Sequence, residues 1–155
     1  MTETDLHKPV LVIGYGNSLR GDDGLGPHVA SLLSQQVDPA AVHILTPQQL
    51  TPDLAERVAA SRMTILIDAR VGNVAGRIHH SLVSIPDRAA PTFQHHITPE
   101  SLAGVTHALY RVSPLMHLFT AEAGSFEIRE GLSPELLAAA EDLVGQVMNL
   151  LSNGS

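Results

Sequence analysis

The chain of 155 residues has no cysteine and no tryptophan, a single lysine at Lys8, and only 3% aromatic residues. Each shortage excludes something. Without cysteine there are no disulfides, no thiolate nucleophile and no iron–sulfur ligation, so any metal site must use oxygen and nitrogen ligands. The same absence fits a reducing compartment, and the chain is expected to work in the cytoplasm. A lone lysine ahead of the first apolar run rules out a Walker-type loop, which needs its lysine inside the turn. A net charge of -7 with no basic stripe repels phosphate backbones, so no nucleic-acid partner is expected. No apolar run approaches the ~18 residues of a membrane span. The N-terminus "MTETDLHKPV" has neither the basic start nor the apolar core of a signal peptide, and a soluble protein without membrane association is expected.

What is present is a chain 44% hydrophobic and 16% charged, enough for a real core in one compact globular domain over 1–155. Residues 1–8 and 152–155 are expected to be flexible. Short β-branched runs, "PVLVIGY" (9–15), "AVHILT" (41–46), "MTILIDA" (63–69) and "HLFTAEA" (117–123), alternate with helix-like segments. Nearly continuous apolar runs indicate strands buried on both faces. The predicted fold is α/β: a single three-layer domain with a twisted, mostly parallel sheet and helices on both faces. "GRIHHSLVSI" (76–85) follows the third strand too closely for a helical crossover and is predicted as one antiparallel strand at an edge.

Helices are predicted from Thr51, Thr98 and Ser133, where "TPDL", "TPES" and "SPEL" each offer a hydroxyl N-cap, proline at the first helical position and an acid in the first turn. In the last of them Leu136, Leu137, Ala140, Leu143, Val144, Val147, Met148 and Leu151 recur at helical spacing, an ordinary core-facing stripe. "DRAAPTFQ" (87–94) reads as a loop.

In such a sheet, sites form outside the carboxyl ends of the strands. The first strand runs into "GYGNSLRGDDGLGP", which resembles a nucleotide-binding turn except that Leu19 stands where a dinucleotide loop wants its third glycine, and Asp22 and Asp23 would oppose a phosphate. One of the two acids is expected to cap or orient the loop. The third strand delivers Asp68 at its carboxyl end. In "FQHHITPESL" a histidine lies just before a helix N-terminus, whose partial positive charge favours the neutral imidazole that a metal needs. Either His95 or His96 fits. Two carboxylates and one imidazole form a reasonable set for zinc, nickel or manganese. The adjacent His79 and His80 point to opposite faces of a strand and cannot ligate together, and are expected to be edge-strand surface residues. Glu127 and Glu130 lie on one strand-like parity or on a loop, with no role assigned.

Taken together, these residues resemble the endopeptidases that mature nickel–iron hydrogenases by trimming the C-terminal tail of the large subunit. "GYGNSLRGDDGLGP" is similar to that family's first signature, "ILIDA" to its second acidic motif, and the histidine three residues before proline in "HHITP" to its third, in the same order over nearly the whole chain. The resemblance implies that the metal-contacting and catalytic residues of an aspartyl-type endopeptidase are Asp23, Asp68 and His96, which favours His96 over His95. It implies nickel as the metal, carried by the hydrogenase precursor, with other divalent metals able to occupy the site. The implied partner is the large-subunit precursor, met by a monomer and cut only after nickel insertion. No His-Glu-x-x-His helix of a resident-zinc protease occurs. Two rival readings are a non-catalytic nickel- or precursor-binding chaperone and a small-phosphate-ligand module, the latter opposed by the charge of -7.

Overall fold

The computed structural model of the protein describes residues 7–87, 97–124, 126–127 and 130–153. The strands are β1 (Val10–Gly14), β2 (Val42–Leu45), β3 (Met63–Arg70), β4 (Ile78–Leu82) and β5 (Met116–Glu122), and the helices are α1 (Leu25–Ser34), α2 (Ala55–Ala59), α3 (Pro99–Tyr110) and α4 (Pro134–Asn153). Short 3₁₀ turns at Gly21–Gly24 and Pro52–Leu54 lead into α1 and α2. The five strands make one sheet in the order β2-β1-β3-β5-β4. All pairs are parallel except β4 with β5, which puts the single antiparallel strand at an edge, as its short link to β3 requires.

Side-chain alternation sends the apolar runs into two cores. Val10, Val12, Ile65, Ile67 and Phe119 face α1 and α4, while Leu11, Ile13, Leu66 and Met116 face α2 and α3. Burial on both faces is why these strands read as continuous hydrophobic segments. Helix α4 buries Leu136, Ala139, Ala140, Leu143, Val144 and Val147. Leu137, expected in that stripe, lies off it and is exposed. The helix runs on through Asn153, into the segment expected to be flexible, with Ser152 Oγ donating to the Met148 carbonyl at 3.0 Å.

The caps differ in how they are made. Thr98 caps α3 as expected, its Oγ1 accepting from Ser101 N–H at 3.1 Å. Thr51 does not cap with its side chain: the turn that follows is 3₁₀, closed by Leu54 N–H on the Thr51 carbonyl at 3.1 Å. Two glycines let α1 start against the sheet. A Cβ on Gly14 would collide with the Gly26 carbonyl, and one on Gly26 would collide with the carbonyls of Tyr15 and Ile67. Removing either glycine would push the helix N-terminus away from the ends of β1 and β3.

Candidate active site at the sheet switch point

The chain turns to one side of β1 to make β2 and to the other to make β3, so the switch point lies between the carboxyl ends of β1 and β3. Loops diverge there and leave a crevice. The Gly14–Gly26 loop leaves β1 at this point, with Gly16 in a backbone conformation of φ 139° where a Cβ would strike the Asp23 carbonyl. Asn17 N–H donates to Asp23 Oδ2 at 2.8 Å, and Arg20 N–H donates to the Asn17 carbonyl at 3.0 Å. These amide groups are thus spent on the loop's own carboxylate and carbonyl. This is the wrong polarity for a phosphate cradle, which presents amides outward.

The two neighbouring acids have separate roles. Asp22 is fully buried and turned away from the rim, accepting from Gly124 N–H at 2.6 Å, Ser133 N–H at 2.7 Å and Ser133 Oγ at 2.9 Å. The expectation that one acid orients the loop is met by Asp22, although it anchors the loop to the start of α4 and not to its own helix α1. Ser133 Oγ also faces Leu136 N at 3.4 Å, so the cap of α4 and the anchor of the acidic loop are one cluster.

Asp23, half-buried, turns the other way, toward Asp68. Burial pushes the Asp68 carboxyl up to about 7, and the negative charge of Asp23 adds to this. Hydrogen bonds from the Ala69 main chain and the Tyr15 hydroxyl pull in the opposite direction without reversing it. Tyr15 is itself raised above the ordinary phenol range by burial and by the Asp68 charge, with a smaller contribution from Glu100 at the start of α3. A buried carboxyl that also faces a second acid is stabilised by a cation. The donor set of carboxylate oxygens suits a divalent metal.

His95 and His96 lie outside the described residues, as do residues 88–94 of the expected loop. Among the described residues no group of three histidine, aspartate or glutamate side chains is gathered as a metal site. The structure therefore brings Asp23 and Asp68 together and leaves the imidazole as a sequence-based expectation. Glu127 and Glu130 are exposed, and neither lies in a strand.

The adjacent histidines of β4 point to opposite faces of the edge strand, His80 exposed as expected and His79 half-buried, and each has a partner. His80 stacks on Phe119 with ring centroids 4.0 Å apart, and its Nε2 shares a hydrogen bond of 2.9 Å with His117 Nδ1. Desolvation, followed by the neighbouring His80, holds His117 below the usual imidazole range. His79 donates from Nε2 to Glu122 Oε2 at 2.9 Å. Glu122 ends β5 as Asp68 nearly ends β3, an acid closing an apolar run, and that shared signal could have marked it in the sequence. Tyr15, Thr120 and Glu122 are the polar residues of the rim that sequence reasoning passed over.

Fold and rim together define an α/β protein with an acidic site at its switch point. No protein-family model matches the chain, and no curated protein matches it by sequence. Solved structures do. The hydrogenase-maturating endopeptidase HybD from E. coli superposes with a TM-score of 0.74 at 26% identity, covering 95% of this chain and 94% of that one. The hydrogenase 2 maturation peptidase from Thaumarchaeota archaeon SCGC_AB-539-E09 gives 0.71 at 28% identity, over 94% of this chain and 99% of that one. The [NiFe] hydrogenase maturation protease HycI from Thermococcus kodakarensis, at 20% identity and a TM-score of 0.74 over 94% of each chain, shares the fold. Over nearly its whole length the chain is similar to solved hydrogenase maturation endopeptidases.

Proposed function

We propose that the protein is a cytoplasmic, monomeric endopeptidase that removes the C-terminal extension of a nickel–iron hydrogenase large-subunit precursor after nickel has been inserted. Asp23, Asp68 and His96 contact the nickel of the substrate. The observation that carries this reading is the meeting of Asp68 and Asp23 at the switch point, where burial first and the charge of Asp23 second push the Asp68 carboxyl up to about 7. A precursor that brings a divalent ion into the rim relieves that repulsion, so binding is strongest for the metal-loaded substrate. An empty precursor offers no such gain. Specificity then comes from the finished metal centre as much as from the peptide sequence.

Asp68 has a second capacity at the same place. A carboxylate at this place can accept a proton from water and return it to a leaving amine, the exchange that peptide hydrolysis requires. Asp23, pinned by Asn17 N–H, keeps its direction while this happens. Tyr15 supports Asp68 from the side. The amide groups already satisfied within the Gly14–Gly26 loop speak against the phosphate-ligand reading.

The test is to mix the purified protein with precursor from the same cell, loaded with nickel or free of it, and to weigh the products by mass spectrometry. Loaded precursor is cut once near its C-terminus and nickel-free precursor stays whole. Equal cutting of both removes the metal-sensing step. Tight binding of loaded precursor with no cleavage makes the protein a chaperone instead.

A further inference from the structure

Asp68, Thr120 and His79 stand in one row across the sheet. Asp68 pairs with Thr120 where β3 meets β5, and Thr120 pairs with His79 where β5 meets β4. Directly paired residues share a face, and this is the face that Leu66 and Met116 present to α2 and α3. At a strand spacing of about 4.8 Å, His79 is roughly 10 Å from Asp68 along the row, which is about three residues of an extended peptide.

His79 is held firmly. Its partner Glu122 is 5% exposed and also accepts from Asn73 N–H at 2.8 Å and Val74 N–H at 3.1 Å, with Arg77 Nε at 3.5 Å. Gly72 is packed so closely that a Cβ there would run into the Glu122 carboxylate. An ionised carboxylate only accepts, so the imidazole carries its hydrogen on Nε2. In the neutral ring Nδ1 is then an acceptor, and the side chain is still 40% exposed. A buried carboxylate fixing one nitrogen of a ring whose other side meets solvent is more than loop 71–77 needs, since Asn73, Val74 and Arg77 already satisfy Glu122. Between His79 and Asp68 lies Thr120, itself buried, whose Oγ1 has no hydrogen-bond partner among the described residues.

We propose that His79 is a specificity-determining residue that touches the substrate, its Nδ1 accepting a main-chain N–H of the extended precursor tail about three residues from the bond that is cut. Glu122 acts through His79 and is a positioning residue. The inference rests on the peptidase reading above and gives that reading a direction: the tail runs from the acidic pair past the end of β5 toward β4.

The experiment uses the full chain and nickel-loaded precursor. His79→Ala raises KM about 3- to 10-fold, the range of one lost hydrogen bond, with kcat nearly unchanged. His79→Gln restores most of the loss, because its amide donates to Glu122 and keeps a carbonyl acceptor. Proline placed singly in the precursor tail, two to four residues from the cut, deletes one N–H at a time. At one of these positions KM rises for the unaltered enzyme and His79→Ala adds nothing further. An unchanged KM in His79→Ala, or a penalty that persists at every proline position, overturns the inference. If the unaltered enzyme fails to cut loaded precursor, the peptidase reading falls by itself, and the tail contact is then read from the His79 ring nitrogen signals on adding a synthetic tail peptide. A shift at Nδ1 sustains the contact and no shift refutes it.

Discussion

Asp68 and Glu122 close neighbouring parallel strands on the same face of the sheet, yet their carboxyls move in opposite directions. Asp68 is pushed up to about 7 by burial and by the charge of Asp23. Glu122 is drawn down to about 2, first by the hydrogen bond from His79, then by the amides of Val74 and Asn73 and the charge of Arg77, against the opposing effect of burial. Position in the fold does not separate them. The balance of burial and partners does: at Glu122 the donors outweigh burial, whereas at Asp68 burial and a second acid outweigh the donors of Ala69 and Tyr15. Asp22 is likewise held by donors, from Gly124 and Ser133, whereas its sequence neighbour Asp23 lies toward Asp68. A carboxylate surrounded by donors holds structure in place, and one crowded by another acid is available for a cation or a proton.

The largest expected effect breaks the comparison most directly. Asp23→Asn and Asp68→Asn should each lower kcat/KM for loaded precursor by ~10³-fold or more while leaving the circular dichroism spectrum unchanged. Glu122→Gln should retain most of kcat. If Glu122→Gln abolished kcat as fully as Asp68→Asn, the division between the two acids would be wrong.

Next comes stability. In Asp22→Asn the new amide cannot accept from both Gly124 and Ser133, leaving a buried donor opposed by a donor. A loss of about 2–3 kcal/mol in urea unfolding is expected, with a smaller effect on cleavage than Asp23→Asn. An undiminished unfolding midpoint would show that the anchor to α4 matters little.

The smallest effect sharpens the contrast through pH, measured on metal-free protein. The folded value of Asp68, about 7, lies above its ordinary 3.8, so its contribution to stability is complete below pH 3.8 and is lost as pH rises through about 7. Asp68→Asn should therefore gain on the unaltered protein between about pH 5 and 8, by ~1–2 kcal/mol after allowance for solvent screening. Glu122 has the reverse sign. Its folded value of about 2 lies below the ordinary 4.5, so its contribution is present above pH 4.5 and fades as pH falls toward about 2. The gap between the unaltered protein and Glu122→Gln should close in acid. Parallel pH curves for both variants would contradict the opposite shifts.

Much of the architecture is written locally. Continuous apolar runs specify strands covered on both faces, a short link after β3 forces β4 to run antiparallel, and Thr98 with Pro99 starts α3 where it was expected. Asp23 and Asp68 were legible as candidates because an acid at the carboxyl end of a buried strand, or in the glycine loop that follows one, has to lie on the rim. Less was legible where the outcome depends on partners distant in the chain. The hydroxyl of Thr51 could cap and does not, because the turn chose 3₁₀ closure through the backbone. Asp22 and Asp23 are chemically identical neighbours. Only the arrival of Ser133, 111 residues away, makes one an anchor and leaves the other facing Asp68. His79 read as an edge residue until Glu122, 43 residues further along, fixed its ring. Side-chain periodicity and capping are short-range and survive in the sequence. The charge state of a carboxylate and the direction of an imidazole are set by whichever donors and charges folding brings within a few ångströms, and only the tertiary structure decides that.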